Sequence, residues 1–212
     1  MSLIYVMLVL GMVVASNQSA VLPPDFKLEG RSAGDLSAEW WQWALRDFPD
    51  SNPIEDTSGA LCQNNQKGIV WFLAGQHGAE KTKRTCVIPA EKYLFFPVIN
   101  NVTWAKEQGE ASTCEEALKA VAINTDSAIG LYVEVDGVAV KNVSQFRAKT
   151  KQCFNVFEHA DESHFYNAYP SASDGFWIAL KPLSKGQHVI KFGGTYPNNQ
   201  FSQDVEYQLT VE

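Results

Sequence analysis

The sequence predicts a mainly β fold, specifically an antiparallel β-sandwich of the jelly-roll or immunoglobulin-like type with two short helices. Three observations predict it. Short apolar or alternating segments of strand length recur along the chain, turn-forming residues separate them, and helical periodicity is confined to two short segments. Many short strands with two helices are typical of two packed sheets with helical additions.

The composition is that of an ordinary globular protein, with 45% hydrophobic and 19% charged residues among 212. We predict a single domain over residues 35–212, because no repeat or clean boundary divides this stretch. The formal net charge of -7 and the lack of a Lys/Arg cluster in the sequence argue against nucleic acid as a partner.

Residues 1–20 are predicted to be a signal peptide. Leu3 to Ala15 is an uncharged apolar run, and it is shorter than the about 20 residues that span a bilayer as a helix. Small residues follow, so cleavage is expected after Ala15 or Ser16, or after Ala20. An uncleaved anchor or a buried helix is the alternative, since no Lys or Arg precedes the run. We therefore predict a secreted or periplasmic protein with no membrane span after cleavage.

A linker-like segment and a helix follow the signal segment. Residues 21–34 contain Pro, Gly and Ser and predict the linker-like lead-in. Residues 35–45 predict a helix, with Ser37 as the cap and Glu39 in the positive first turn. Trp43 lies off the apolar stripe of this helix. The stripe comprises Leu36, Trp40, Trp41, Ala44, Leu45 and Phe48.

The middle of the chain predicts strands and the second helix. Residues 68–75 and 92–99 are continuous apolar runs, as in strands buried on both faces, and 85–88 is a shorter strand between them. Pro97 places its strand at a sheet edge or at a bulge. A helix starts at Cys114, because Ser112 and Thr113 precede acidic residues in a capping-box pattern.

The last part of the chain predicts β structure. Residues 130–140 form a hairpin, because valines alternate on both sides of Asp136-Gly137, a strong type I′ turn signal. Three further strands are predicted at 176–180, 188–192 and 205–211. The final strand alternates apolar and polar residues, which is typical of a strand with one buried face.

Four cysteines remain after signal cleavage, and an even number in an exported chain indicates disulfides. Three pairings are possible. We prefer Cys62–Cys86 and Cys114–Cys153, because near neighbours meet most easily, and each bond would contribute about 3–4 kcal/mol. A zinc site is the alternative, but the spacing contains no CxxC pair.

Several stretches together resemble a group of secreted, mainly bacterial proteins to which no activity is assigned. The resemblance covers most of the chain behind the signal segment. It implies an exported single domain with a common fold, and no activity, cofactor, partner or functional residue is transferable from it. The stretches are WWQW at 40–43, NPIEDTSGALC at 52–62, QKGIVWFLAG at 66–75, CVIPAEKYLFFPVIN at 86–100 and DGFWIALKPLSKGQHVIKFGG at 174–194.

The richest polar cluster lies at residues 158–164, which hold two histidines and three carboxylates. His159, Asp161 and His164 could bind a divalent metal, or the cluster could supply an acid and a base. The spacing matches no standard ligand motif, so a solvated acidic loop is the alternative. No other cofactor is predicted.

Aromatic residues in predicted loops are the second candidate site. Exposed rings on a sandwich can stack on the apolar face of a sugar, while nearby amides and carboxylates bind its hydroxyls. In the alternative interpretation the rings simply cover the ends of the sandwich, and four other tryptophans, Trp40, Trp41, Trp71 and Trp177, are expected in the core. The loop aromatics are Trp104, Phe165, Tyr166, Tyr169 and Tyr196, with Trp104, Tyr166, Tyr169 and Tyr196 as the predicted ligand contacts.

No catalytic residue is predicted, because the sequence contains no GxSxG and no other nucleophile motif. The leading hypothesis is therefore a module that binds a carbohydrate or another cell-surface polymer. One alternative is a secreted hydrolase that uses a metal or the carboxylates of residues 158–164. The other is a structural, envelope-associated protein without catalysis.

Overall fold

The computed structural model of the protein describes residues 20–47, 51–77, 81–105, 113–160 and 167–212, so the predicted signal peptide lies outside them except for Ala20. Within these ranges the chain is mainly β, with two α-helices and nine strands. None of the described helices is long and apolar enough to cross a membrane. The elements are α1 (Ala33–Ala44), β1 (Val70–Phe72), β2 (Thr82–Ile88), β3 (Tyr93–Trp104), α2 (Cys114–Asp126), β4 (Ile129–Val135), β5 (Val138–Ala139), β6 (Arg147–Lys149), β7 (Ser171–Leu180), β8 (Gly186–Tyr196) and β9 (Phe201–Val211).

The strands form two mixed sheets, with orders β1-β3-β7-β6 and β2-β9-β8-β4-β5. The pairs β1–β3 and β2–β9 are parallel, and the other neighbours are antiparallel. The predicted antiparallel pairing therefore holds for most neighbouring strands and is wrong for these two pairs. The chain leaves β1 for β2 in the other sheet before it returns to β3, and such a crossover permits parallel pairing.

A hydrophobic core with residues from both sheets lies between them. Phe96 of β3 and Phe192 of β8 meet with ring centroids 4.7 Å apart. Along β9 the buried and half-buried residues alternate, as its sequence predicted. The remaining core side chains come mainly from β3, β4, β7, β8 and β9.

The outer face of the first sheet is covered by α1. Trp40 of the helix packs against Trp177 of β7, with ring centroids 5.5 Å apart. Trp177 in turn stacks on Phe95 of β3, with centroids 5.2 Å apart. Strands β3 and β7 are buried on both faces, which explains why their sequences contain continuous apolar runs. The prediction that Trp40, Trp71 and Trp177 lie in the core is confirmed.

Helix α1 begins earlier than predicted. Ser32 is the cap, and it forms a capping box with Asp35. The predicted cap Ser37 is instead buried inside the helix, where its hydroxyl donates to the Gly34 carbonyl at 2.8 Å. Trp43, predicted off the apolar stripe, is also buried: its ring contacts Phe72 with centroids 5.6 Å apart, and its Nε1 donates to the Asn64 carbonyl at 2.8 Å.

The segment expected to be linker-like, residues 21–34, is packed onto the rest of the protein. Val21 forms a β-bridge with Leu180, and the Ala20 carbonyl accepts from Lys181 N at 2.7 Å. Phe26 and Leu28 are buried beside α1. The start of the described chain is thus part of the first sheet and its helical layer.

Two local predictions about the strands are confirmed. The hairpin β4–β5 turns at Asp136 and Gly137, which have φ of 50° and 78°, as a type I′ turn requires. Pro97 lies at a bulge in β3, where the register to β7 shifts. Gln203 of β9 provides hydrogen bonds at the bulge, since its Nε2 donates to the carbonyls of Pro97 and Val98.

The preferred disulfide pairing is confirmed. Cys62–Cys86 and Cys114–Cys153 have Cα–Cα distances of 6.0 and 5.7 Å, and no cysteine is free. The first bond fastens the long segment between α1 and β1 to the edge strand β2. The second fastens the start of α2 to the segment that precedes β7.

We expect the Cys62→Ala/Cys86→Ala double variant to lose about 3–4 kcal/mol of unfolding free energy, because the closed loop restricts the unfolded chain. Urea unfolding of the variant and the oxidised wild type measures the difference. The Cys114→Ala/Cys153→Ala variant removes the other disulfide and should lose a similar amount. Equal urea midpoints for the wild type and either variant would contradict the prediction.

Candidate functional site

A cavity of about 380 Å³ lies where α1, the end of β3 and the end of β8 meet the segments around Asn52 and Gly75. Its volume falls in the range of about 300–1,000 Å³ that is usual for small-molecule sites. Its lining is aromatic and amide-rich. The lining residues are Trp40, Trp41, Leu45, Asn52, Ile54, Glu55, Gly75, Gln76, His77, Asn100, Asn101, Val102, Trp104, Phe157, Tyr196, Asn199 and Phe201.

The aromatic part of the lining comes from four separate stretches of the chain. Trp40 and Tyr196 are each 1% exposed, so packing holds their rings rigidly. The rings of Trp104 and Phe157 pack edge to face with centroids 5.8 Å apart, and the ring centroids of Phe201 and Tyr196 are 6.3 Å apart. The cavity therefore presents ring surfaces that the surrounding structure has already positioned.

The polar part of the lining consists mostly of amides that the backbone holds in place. The side chain of Asn52 accepts from Ile54 N at 2.9 Å, and Asn101 Nδ2 donates to the Val121 carbonyl at 3.3 Å. Gln76 Nε2 donates to the Ser202 carbonyl at 3.5 Å. Such amides offer both donors and acceptors to a ligand.

Glu55 is the acidic side chain among the described lining residues, and it lies beside His77. His77 Nδ1 and Glu55 Oε1 lie 3.1 Å apart, and both side chains are largely exposed. The described lining contains no Lys or Arg.

The buried guanidinium of Arg84, 1% exposed, holds two segments of the cavity wall together. It donates to the Gly75 carbonyl at 2.7 Å, to the Ile54 carbonyl at 3.0 Å and to the Asp56 carbonyl. It also donates to the hydroxyl of Tyr207 at 3.3 Å. Arg84 thus sets the distance between the segment around Ile54 and the one around Gly75.

Asp56 orders the next turn of the same segment. Its carboxylate accepts from Leu61 N at 2.9 Å, and from the backbone N and the hydroxyl of Ser58 at 2.8 and 2.7 Å. Partial burial acts to raise the pKa of Asp56, but these hydrogen bonds outweigh it and hold the pKa below the usual aspartate value.

Two of the predicted ligand contacts meet in the cavity. Trp104 and Tyr196 were expected in loops, but they are the last residues of β3 and β8. Tyr196 is buried rather than exposed, and burial raises its pKa. Tyr169 is 55% exposed and does not line this cavity, and Tyr166 lies outside the described residues.

The predicted polar cluster does not reach the cavity in its described part. Glu158 accepts from Gln42 Nε2 at 3.1 Å, and the exposed His159 lines a different cleft that also contains Glu39. Asp161 and His164 lie outside the described residues. In the part of the chain that the structure describes, no three His, Cys, Asp or Glu side chains are placed to share a metal ion.

Several lining residues were missed by sequence reasoning. Trp41 was assigned to the core because it lies on the apolar stripe of α1, yet it is only half-buried and faces the cavity. Asn100 and Asn101 follow a buried apolar run and stand just before Trp104. Two adjacent amides at the end of a core strand, next to a tryptophan, were the available signal.

Comparison with known proteins finds no matching family model, no matching curated protein and no matching solved structure.

We expect Asp56→Asn to lower the unfolding free energy by about 1–2 kcal/mol at pH 7, because the hydrogen bonds to a charged acceptor weaken. The folded-state pKa of Asp56 lies below its unfolded value, so its contribution is complete above the ordinary pKa of about 3.9. It disappears as the pH falls through the lowered folded-state pKa.

Urea unfolding of wild type and variant between pH 7 and pH 2.5 measures this dependence. The difference between the two proteins should shrink at the acid end. Asp25→Asn, at an exposed carboxylate, serves as the control and should change little. A difference between wild type and Asp56→Asn that stays constant over the whole range would contradict the assignment.

Proposed function

We propose that the protein binds a saccharide unit in this cavity. The observation that supports the proposal is the combination of positioned aromatic rings with amide side chains in a wall with little charge. A sugar ring has an apolar CH face, which packs on aromatic rings, and a rim of hydroxyls, which hydrogen-bond to amides. Trp104 and Asn101 are examples of the two kinds of group, three residues apart on β3.

The size of the site bears on the kind of ligand. A cavity of about 380 Å³ suits one or a few sugar units, such as a short oligosaccharide or the end of a longer polymer. This agrees with a role at a cell surface, where such chain ends are found. We prefer binding over hydrolysis, because Glu55 is the one carboxylate among the described lining residues and glycoside hydrolysis normally uses two.

We further propose that the two sheets form a β-sandwich and that α1 adds a third layer outside it. The shared core between the sheets and the Phe96–Phe192 contact across it support this description. The parallel pairs at β1 and β2 distinguish the arrangement from a regular immunoglobulin-like sandwich, whose sheets are antiparallel.

We also propose that the protein is exported, to the periplasm or outside the cell, as the resemblance to a secreted group suggests. The apolar segment at residues 3–15 and the two disulfides support this. Cleavage after Ala15 or Ser16 leaves the Val21–Leu180 bridge intact, whereas cleavage after Ala20 removes the carbonyl that accepts from Lys181 N.

We expect the full-length chain, expressed in a bacterial host, to reach the periplasm or medium in a shortened form. N-terminal sequencing should find a mature chain that begins at Ser16, Asn17 or Val21. A chain with an intact N-terminus in the cytoplasmic fraction would contradict export.

Trp104→Ala should weaken glycan binding by at least about tenfold, since loss of about 1.4 kcal/mol of ring contact corresponds to that factor. A glycan array identifies a bound sugar, and isothermal titration of that sugar with wild type and variant measures the change. Tyr169→Ala, which removes an exposed ring outside the cavity, is the matched control and should bind like wild type.

Two results would overturn the proposed function. One is a wild-type protein that retains no glycan on the array. The other is a Trp104→Ala variant that is folded by circular dichroism and binds the same sugar as tightly as wild type does.

A further inference from the structure

Two N–H groups of cavity-lining residues have no acceptor among the residues that the structure describes. They are Trp41 Nε1 and Asn100 Nδ2, and both are shielded from solvent. An unsatisfied buried donor is costly, so proteins satisfy nearly all of them. Each of these side chains is only half-buried as a whole and lines the cavity, and a ligand reaches its N–H only when the side chain rotates on binding.

The chemistry of these groups restricts the acceptor that suits them. An indole N–H donates only, so the ligand must offer a lone pair there. A carboxylate is a poor choice, because Glu55 contributes negative charge and the described lining contains no Lys or Arg. A neutral carbonyl oxygen meets both requirements.

The surroundings of Trp41 are apolar. Its ring packs edge to face on the buried ring of Trp40, with centroids 4.9 Å apart. A carbonyl that carries a methyl group would therefore find donors for its oxygen and ring surface for its methyl in the same part of the cavity. The acetamido group of an N-acetylated sugar has this pair of features on one carbon atom.

We infer that the cavity binds an uncharged sugar that carries an N-acetyl group, whose carbonyl oxygen accepts from Trp41 Nε1 and Asn100 Nδ2. This inference rests on the proposed saccharide site and specifies its ligand class. The methyl of the acetamido group packs among the rings beside Trp41, and the sugar ring itself extends towards Trp104.

Trp41→Phe tests the inference, because it keeps an aromatic ring and removes the N–H. Trp71→Phe is the matched control, since Trp71 Nε1 also lacks a partner but lies on β1 outside the cavity lining. The probes for isothermal titration are N-acetylglucosamine, glucose and glucosamine. Wild type should prefer the acetylated sugar at least tenfold, Trp41→Phe should lose most of that preference, and Trp71→Phe should keep it.

Asn100→Asp is the second variant, and it tests the same inference if Trp41→Phe does not fold. It preserves the size of the side chain and replaces the donor by a charged acceptor, so it should also lose the preference for the acetylated sugar. Equal affinity of folded wild type for glucose and N-acetylglucosamine would overturn the inference and leave the proposed saccharide site standing. Binding of none of the sugars, here and on the glycan array, would overturn both.

Discussion

The candidate site depends on one buried cation. Arg84 enters from the edge strand β2 and donates to backbone carbonyls of two segments that are about 20 residues apart in sequence, Ile54 to Asp56 and Ala74 to Gly75. Burying a guanidinium is costly unless its N–H groups are satisfied, so these carbonyls must converge on it. That requirement holds Ile54 and Gly75 at the cavity wall. The Cys62–Cys86 bond fastens the same long segment to the same strand.

The cavity also depends on the layering of the molecule. Strands β3 and β7 lie between the core shared with the second sheet and the aromatic layer under α1. Consequently Trp41 from the helix, Trp104 from the first sheet and Tyr196 from the second sheet line one cavity. Rings and amides in the lining are thus held by a helix and by strands of both sheets.

Much of the local structure was predictable, because short-range chemistry decides it. The turn at Asp136-Gly137, the bulge at Pro97 and the start of α2 follow from the backbone preferences of a few neighbouring residues. The start of α1 was predicted wrongly, because Ser32 and Ser37 both resemble caps. Ser37 cannot be the cap, because it lies inside the helix and is buried there. The neighbouring sequence does not reveal this burial.

The sequence by itself determined the strand-rich character of the protein. It favoured one of three disulfide pairings by proximity, and it named Trp104 and Tyr196 among four candidate ligand contacts. Only the tertiary structure decided that β1 and β2 pair in parallel, that Trp41 faces a cavity and that Asn100 and Gln76 line it. The reason is physical: backbone turns and side-chain periodicity act over a few residues, and sequence records them directly. A cavity wall is made by residues far apart in the chain, and its position follows from packing and from long-range hydrogen bonds such as those of Arg84 and Gln203.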